Sequence, residues 1–107
     1  MDTKKFYTYL LLTENNTYYC GYTDNIEKRY KKHIEGTGAK YTKANKPIKI
    51  AYLQLFENKS EAMKEECRIK TLKRKDKDNL TKNFKFSTPD LYRLAKEINC
   101  TNINQHR

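Results

Sequence analysis

The sequence has no tryptophan and no valine, and only three glycines, two prolines, two histidines and three cysteines in 107 residues. Each shortage excludes something. The few glycines leave no glycine-rich phosphate loop, and neither a nucleophile elbow nor a ligand cluster of His and Cys is present. Cys20, Cys67 and Cys100 are odd in number and widely spaced. They form neither a disulfide framework nor a zinc motif, so a reducing, cytoplasmic interior is the economical expectation. Long apolar runs are missing as well. None exceeds the length of Tyr9 to Leu12, far short of the ~20 residues a membrane span needs. The opening MDTKK is not followed by the apolar stretch and small-residue cleavage site of a secretory signal. Leu, Ile and Phe supply only 20 of 107 residues, a level at which high net charge usually signals disorder.

What is present reverses that last inference. Nine tyrosines each offer a large apolar ring with a hydroxyl that seeks a partner. A single small domain with a thin, Tyr-rich core follows. Lys and Arg number 23 against 13 acids, giving a net charge of +10. The imbalance is local: Lys28 to Lys49 holds eight basic residues and the single acid Glu35. Such a face repels itself unless a polyanion covers it, so nucleic acid is the leading partner. A generic solubilising surface is the plainer alternative.

Phe6 to Thr13 and Thr17 to Thr23 read as two strands around the turn Glu14-Asn15-Asn16, a β-hairpin. Gly21 inside the second strand predicts a bulge or a close backbone approach. Asp24 and Glu27 have the spacing of a capping box, opening a helix that Gly36 ends near Glu35. Ile26, Tyr30 and Ile34 form its apolar stripe, and Arg29 and His33 share a neighbouring face. Gly36 to Pro47 reads as a basic loop, and Ile48 to Phe56 as a third strand whose buried faces carry Ile48, Ile50 and Tyr52 on one side and Leu53 and Leu55 on the other. Ser60 is expected to cap a helix reaching about Arg74, followed by a short helix over Asp76 to Lys82. Asn83 to Ser87 reads as a joint. Pro89 then opens a last helix with Leu91, Leu94, Ala95 and Ile98 as its stripe, fraying from Asn99. The fold class is therefore α+β, a three-stranded antiparallel sheet flanked by helices, in the order β-β-α-β-α-α with an extra C-terminal helix. Residues 1–82 form its main domain, and 83–107 a helical appendage of the same globule.

Glu66 is the most telling residue. It lies among Ala62, Met63 and Ile69 on the apolar side of its helix, with Glu65 facing solvent. A carboxylate there is costly unless it is paired or bound to a metal, and both readings stay open. Tyr7, Tyr9, Tyr18, Tyr19 and Tyr22 cluster in the hairpin, where cross-strand packing explains them without chemistry.

In combination these residues resemble the GIY-YIG nuclease family. Tyr7-Thr8-Tyr9 stands where GIY would be and Tyr19-Cys20-Gly21 where YIG would be. Arg29 and then His33 follow in the first helix, and Glu66 in the second. Gly38 to Thr42, GAKYT, is similar to a stretch of the small bacterial branch and of structure-specific resolvases. The likeness spans residues 6 to 82. It departs at Tyr7, Thr8 and Cys20, and at Tyr22, where excision-repair relatives carry Lys. The resemblance implies a metal-dependent DNA endonuclease. Glu66 would hold one Mg²⁺ (or Mn²⁺), Arg29 would clamp the phosphate, and Tyr9 or His33 would be the general base with Tyr19 positioning water. DNA would be bound mainly through its backbone, with Lys28, Lys32, Lys40, Lys43 and Lys46 on the phosphates. The alternatives are a non-catalytic nucleic-acid-binding module on the same scaffold and a protein-interaction domain.

Overall fold

The computed structural model describes residues 4–105, with side chains to Cys100. Its elements are β1 (Phe6–Thr13), β2 (Tyr18–Thr23), α1 (Ile26–Glu35), α2 (Lys40–Ala44), β3 (Pro47–Phe56), α3 (Lys59–Lys70), α4 (Arg74–Ser87) and α5 (Pro89–Gln105). The strands form one antiparallel sheet in the order β2-β1-β3, which is the α+β architecture expected. The hairpin turns at Asn16, whose φ of 60° is the left-handed conformation Asn tolerates better than most residues.

β1 is central, and its alternating side chains serve both faces of the sheet. Thr8 donates a buried 2.7 Å hydrogen bond to the Ala62 carbonyl and so ties α3 to one face. Tyr9 points the other way and reaches His33 of α1. Leu10, Leu11, Leu53 and Ile69 are fully buried between these layers, each worth roughly 1.5–3 kcal/mol of apolar burial. On the face that carries α3, Tyr52 of β3 packs against Phe84 of α4, and Phe84 against Tyr92 of α5.

Several boundaries differ from the sequence reading. Asn25, not Asp24, caps α1, accepting the Lys28 N–H at 3.1 Å. Asp24 is drawn instead into an ion pair with Lys4 at 2.9 Å, while the Thr23 hydroxyl takes the Asn25 N–H. Asn58, not Ser60, caps α3. That helix stops at Lys70, because the Thr71 hydroxyl turns back onto the Arg68 carbonyl. The short helix expected over Asp76 to Lys82 is a longer one, continuous across position 82/83 and through Asn83 to Ser87. The basic loop contains the five-residue helix α2. In β3 the register slips by one residue opposite Leu10/Leu11. Ile50, Ala51, Tyr52 and Leu53 are therefore all buried while Ile48 is exposed, so strict alternation fails at that bulge. α5 does not fray at Asn99, whose amide accepts the Ile50 N–H and donates to the Ile50 carbonyl. This pairing closes the outer edge of β3 at that residue.

Candidate active site

Gly21 explains how a ring as large as Tyr9 fits beside the edge strand. The two residues are cross-strand partners. A Cβ on Gly21 would stand 2.6 Å from Tyr9 Oη and 2.8 Å from Cζ, well inside van der Waals contact. The tyrosine lies across the bare backbone, as the close-approach reading of this glycine requires. Its hydroxyl meets His33 Nε2 at 2.8 Å, and Tyr19 lies tilted beside both rings at centroid distances of 6.4 and 5.2 Å.

Two features bring His33 there. It occupies α1 one turn after Arg29, on the side facing the sheet, and is completely buried. Gly36, at φ 83°, then ends the helix in the left-handed conformation that favours glycine. The chain thereby returns over the imidazole, so that Gly38 packs against the ring. His33 Nδ1 meets Thr42 Oγ1 at 2.8 Å. Tyr41, the preceding residue of α2, stacks on Tyr19 with centroids 5.9 Å apart.

Tyr9, Tyr19, Arg29 and Glu66 line one open cleft of about 510 Å³, together with Gly21, Tyr22, Thr23, Asp24, Phe6, Lys4 and Lys59. His33 does not border it and stands directly behind Tyr9. The cleft therefore gathers four of the five residues expected in it, with the fifth one hydrogen bond away. The lysines expected on phosphates are elsewhere. Lys28, Lys32, Lys40, Lys43 and Lys46 are exposed on α1, α2 and the connection to β3, and none borders the cleft. Its lysines are instead Lys4 and Lys59. Lys59 had a signal in the sequence, because it precedes Glu66 by two helical turns on α3.

The electrostatics divide the cleft. Burial raises Tyr9 well above the ordinary tyrosine range, against a smaller lowering by Arg29. Burial, assisted by the Arg29 charge, pushes His33 down to about 4. Both groups are thus neutral near pH 7. Arg29 and Lys59 make no ion pair with a carboxylate among the described residues. Glu66 has a half-exposed neighbour, Lys70 Nζ, at 3.4 Å. An exposed i,i+4 pair of this kind contributes only ~0.3–0.5 kcal/mol and separates readily. Glu65 is no more solvent-facing than Glu66, contrary to expectation: their side chains are 17% and 18% exposed. The Glu65 carboxylate is occupied by a two-pronged contact with Arg68 at 2.9 and 2.6 Å.

Of the two carboxylates lining this polar, open cleft, Asp24 is paired with Lys4. Glu66 as a single carboxylate fits Mg²⁺ or Mn²⁺, which retain several waters and take substrate phosphate as a further ligand. It does not fit a structural zinc, which needs four protein ligands. Among the described residues no cluster of three or more His, Cys, Asp or Glu could hold a metal. All three cysteines are free thiols, and among the described residues no helix is long and apolar enough to cross a membrane.

Comparison with known proteins gives the family of the chain. The family described as the GIY-YIG catalytic domain matches residues 5–80, and the chain belongs to that family. It is 41% identical over 92 residues to a UPF0213 protein of Bacillus velezensis, covering 86% of this chain and 93% of that one. It is 46% identical over 93 residues to a UPF0213 protein of Clostridium perfringens, covering 87% and 97%. Among solved structures it is similar to the solution NMR structure of a UPF0213 protein from Bacillus halodurans. That match is 37% identical, covers 73% of this chain and 83% of that chain, and has a TM-score of 0.48.

Proposed function

We propose that this protein is a metal-dependent DNA endonuclease that hydrolyses phosphodiester bonds. The observation that carries the reading is the cleft itself. One wall offers Arg29 and Lys59, which have no carboxylate partner among the described residues, and Glu66 in a loose pair with Lys70, and the other a tyrosine backed by an imidazole. Such a division suits a reaction that must neutralise a phosphoryl group while removing a proton from water.

Arg29 is assigned to the phosphate, because its planar fork grips two oxygens where a lysine grips one. Lys59 adds charge from the start of α3. Glu66 would hold the Mg²⁺ or Mn²⁺ after Lys70 swings aside, and the bound ion would supply charge neutralisation at the phosphoryl and leaving oxygens. Tyr9 is assigned as the base that meets the attacking water, since its ring borders the cleft, and Tyr19 orients that water. His33 has no access to the cleft and serves as the partner behind Tyr9. An isolated tyrosine in this environment is a poor base at neutral pH, because burial favours its neutral form. Arg29 beside it acts in the opposite direction, as a cation held by Glu66 would.

The test is cleavage of supercoiled plasmid and branched DNA in Mg²⁺ or Mn²⁺ by the full chain and by Glu66→Gln. The wild type should nick in a metal-dependent way. The variant should bind DNA equally well and cut at least about 10²-fold more slowly. Salt-sensitive binding by both proteins without cutting by either would instead assign a nucleic-acid-binding module.

A further inference from the structure

We propose that Thr42 is the positioning residue that decides where the proton sits on His33. It holds the imidazole in the Nδ1–H form, so that Nε2 is left to accept from Tyr9. The inference rests on the assignment of Tyr9 as base and adds a device on α2 that governs it.

The donors and acceptors along one buried chain fix the tautomer. Tyr9, His33 and Thr42 form a buried chain: Tyr9 Oη to His33 Nε2 at 2.8 Å, then His33 Nδ1 to Thr42 Oγ1 at 2.8 Å. Thr42 is fully buried, as is His33, and Tyr9 is 1% exposed. Neutral imidazole carries one N–H, and the two ends of the chain dictate which nitrogen bears it. The Thr42 hydroxyl has a second neighbour, the Ala39 carbonyl one turn back, at 3.2 Å. That carbonyl also accepts the Lys43 N–H, within the two-lone-pair capacity of a backbone oxygen.

Suppose Thr42 donates to Ala39. Then His33 Nδ1–H donates to Thr42, Tyr9 O–H donates to Nε2, and every proton in the chain has a protein acceptor. Suppose instead that Thr42 donates to Nδ1. Then Nε2–H must donate to Tyr9, and the Tyr9 proton has no acceptor among the described residues. The first arrangement keeps every proton of the chain in a hydrogen bond within the protein, whereas the second leaves the Tyr9 hydroxyl only the water of the open cleft, and this difference selects the first. Gly38 lies against the Nδ1 side of the ring, where an added Cβ would stand 2.7 Å from that nitrogen.

The consequence is directional. With Nε2 vacant of hydrogen, the Tyr9 proton can move to His33 as Tyr9 takes one from water. The phenol then ends as it began, and the water proton is in effect stored as imidazolium, whose Nδ1–H still points at Thr42. With the opposite tautomer, His33 would donate to Tyr9 and could accept nothing from it.

The test reads the tautomer directly, by ¹⁵N–¹H correlation of the histidine rings at pH 7, with His33→Gln used to separate His33 from His106. Wild type should show a protonated Nδ1 and an unprotonated Nε2. Thr42→Val keeps the shape but removes the hydroxyl, and should move most of the population to Nε2–H. Thr42→Ser should restore the wild-type pattern. At saturating DNA and metal, Thr42→Val should lower kcat on the order of 10²-fold with KM unchanged, and Ser should rescue it. A wild-type His33 protonated on Nε2 overturns the proposal, and so does a tautomer that ignores Thr42→Val. If Val unfolds the chain, the wild-type and Ser spectra still decide. A protein with the expected tautomer and no cleavage would refute the nuclease reading while leaving the role of Thr42 standing.

Discussion

The two walls of the cleft are built to opposite rules. On the Tyr9 wall each side chain is buried and hydrogen-bonded within the protein, in the chain Tyr9–His33–Thr42, and two glycines sit where any Cβ would collide. On the Arg29–Glu66 wall the groups are long and partly exposed, Arg29 has no ion pair among the described residues, and Glu66 pairs with a half-exposed lysine. The buried wall is complete before anything binds, and its charges have been suppressed by desolvation. The open wall carries cations that gain most from an anion and a carboxylate that gains most from a cation. Preorganised geometry belongs where a proton must be moved over one hydrogen bond. Adaptable charge belongs where a flexible, highly charged backbone must be received.

That contrast predicts where small changes do large damage. Gly21→Ala inserts one methyl group between β2 and Tyr9, at 2.6 Å from the hydroxyl. It should displace the ring and cut cleavage by about 10²-fold or more, with a loss of roughly 1–3 kcal/mol in stability. Plasmid nicking and denaturant melts of the same sample measure both. A variant that cuts normally would show that the close approach of Tyr9 to the strand is packing alone.

Acid separates the walls by a second route. His33 is fully buried and its pKa is pushed from 6.5 down to about 4. Between those values the unfolded chain binds a proton that the folded chain refuses. Stability therefore falls as pH drops from 6.5 towards 4, by up to about 3 kcal/mol. Chemical denaturation across that range should show the fall, and His33→Gln should flatten it. A wild-type profile unchanged between pH 7 and pH 4 would mean that His33 is not held neutral.

Much of this was legible in the sequence because it depended on local or ordered features. Gly36 as the stop of α1, the stripe of Ile26, Tyr30 and Ile34, and the hairpin all follow from short-range chemistry. They are found in place, with all three stripe residues buried. Of the ordered set Tyr9, Tyr19, Arg29, His33 and Glu66, four line one cleft and His33 stands behind Tyr9. What could not be read depended on distant closure. Asp24 lost the cap because Lys4, remote in sequence, lies within 2.9 Å of it. The one-residue slip in β3 exists only in its pairing with β1. Thr42 became a partner of His33 only because the left-handed turn at Gly36 folds the following segment back over the helix. The local concentration of basic residues did not by itself show which lysines border the cleft. The five lysines singled out between Lys28 and Lys46 stand clear of the cleft, and single lysines from the chain start and α3 line it.

The central claim is that the buried wall moves the proton while the open wall holds the phosphate. Tyr9→Phe removes one oxygen from the first and nothing from the second. In Mg²⁺, this variant should bind DNA with the affinity and salt dependence of the wild type and fail to cut it. Cutting at the wild-type rate by Tyr9→Phe would contradict the account.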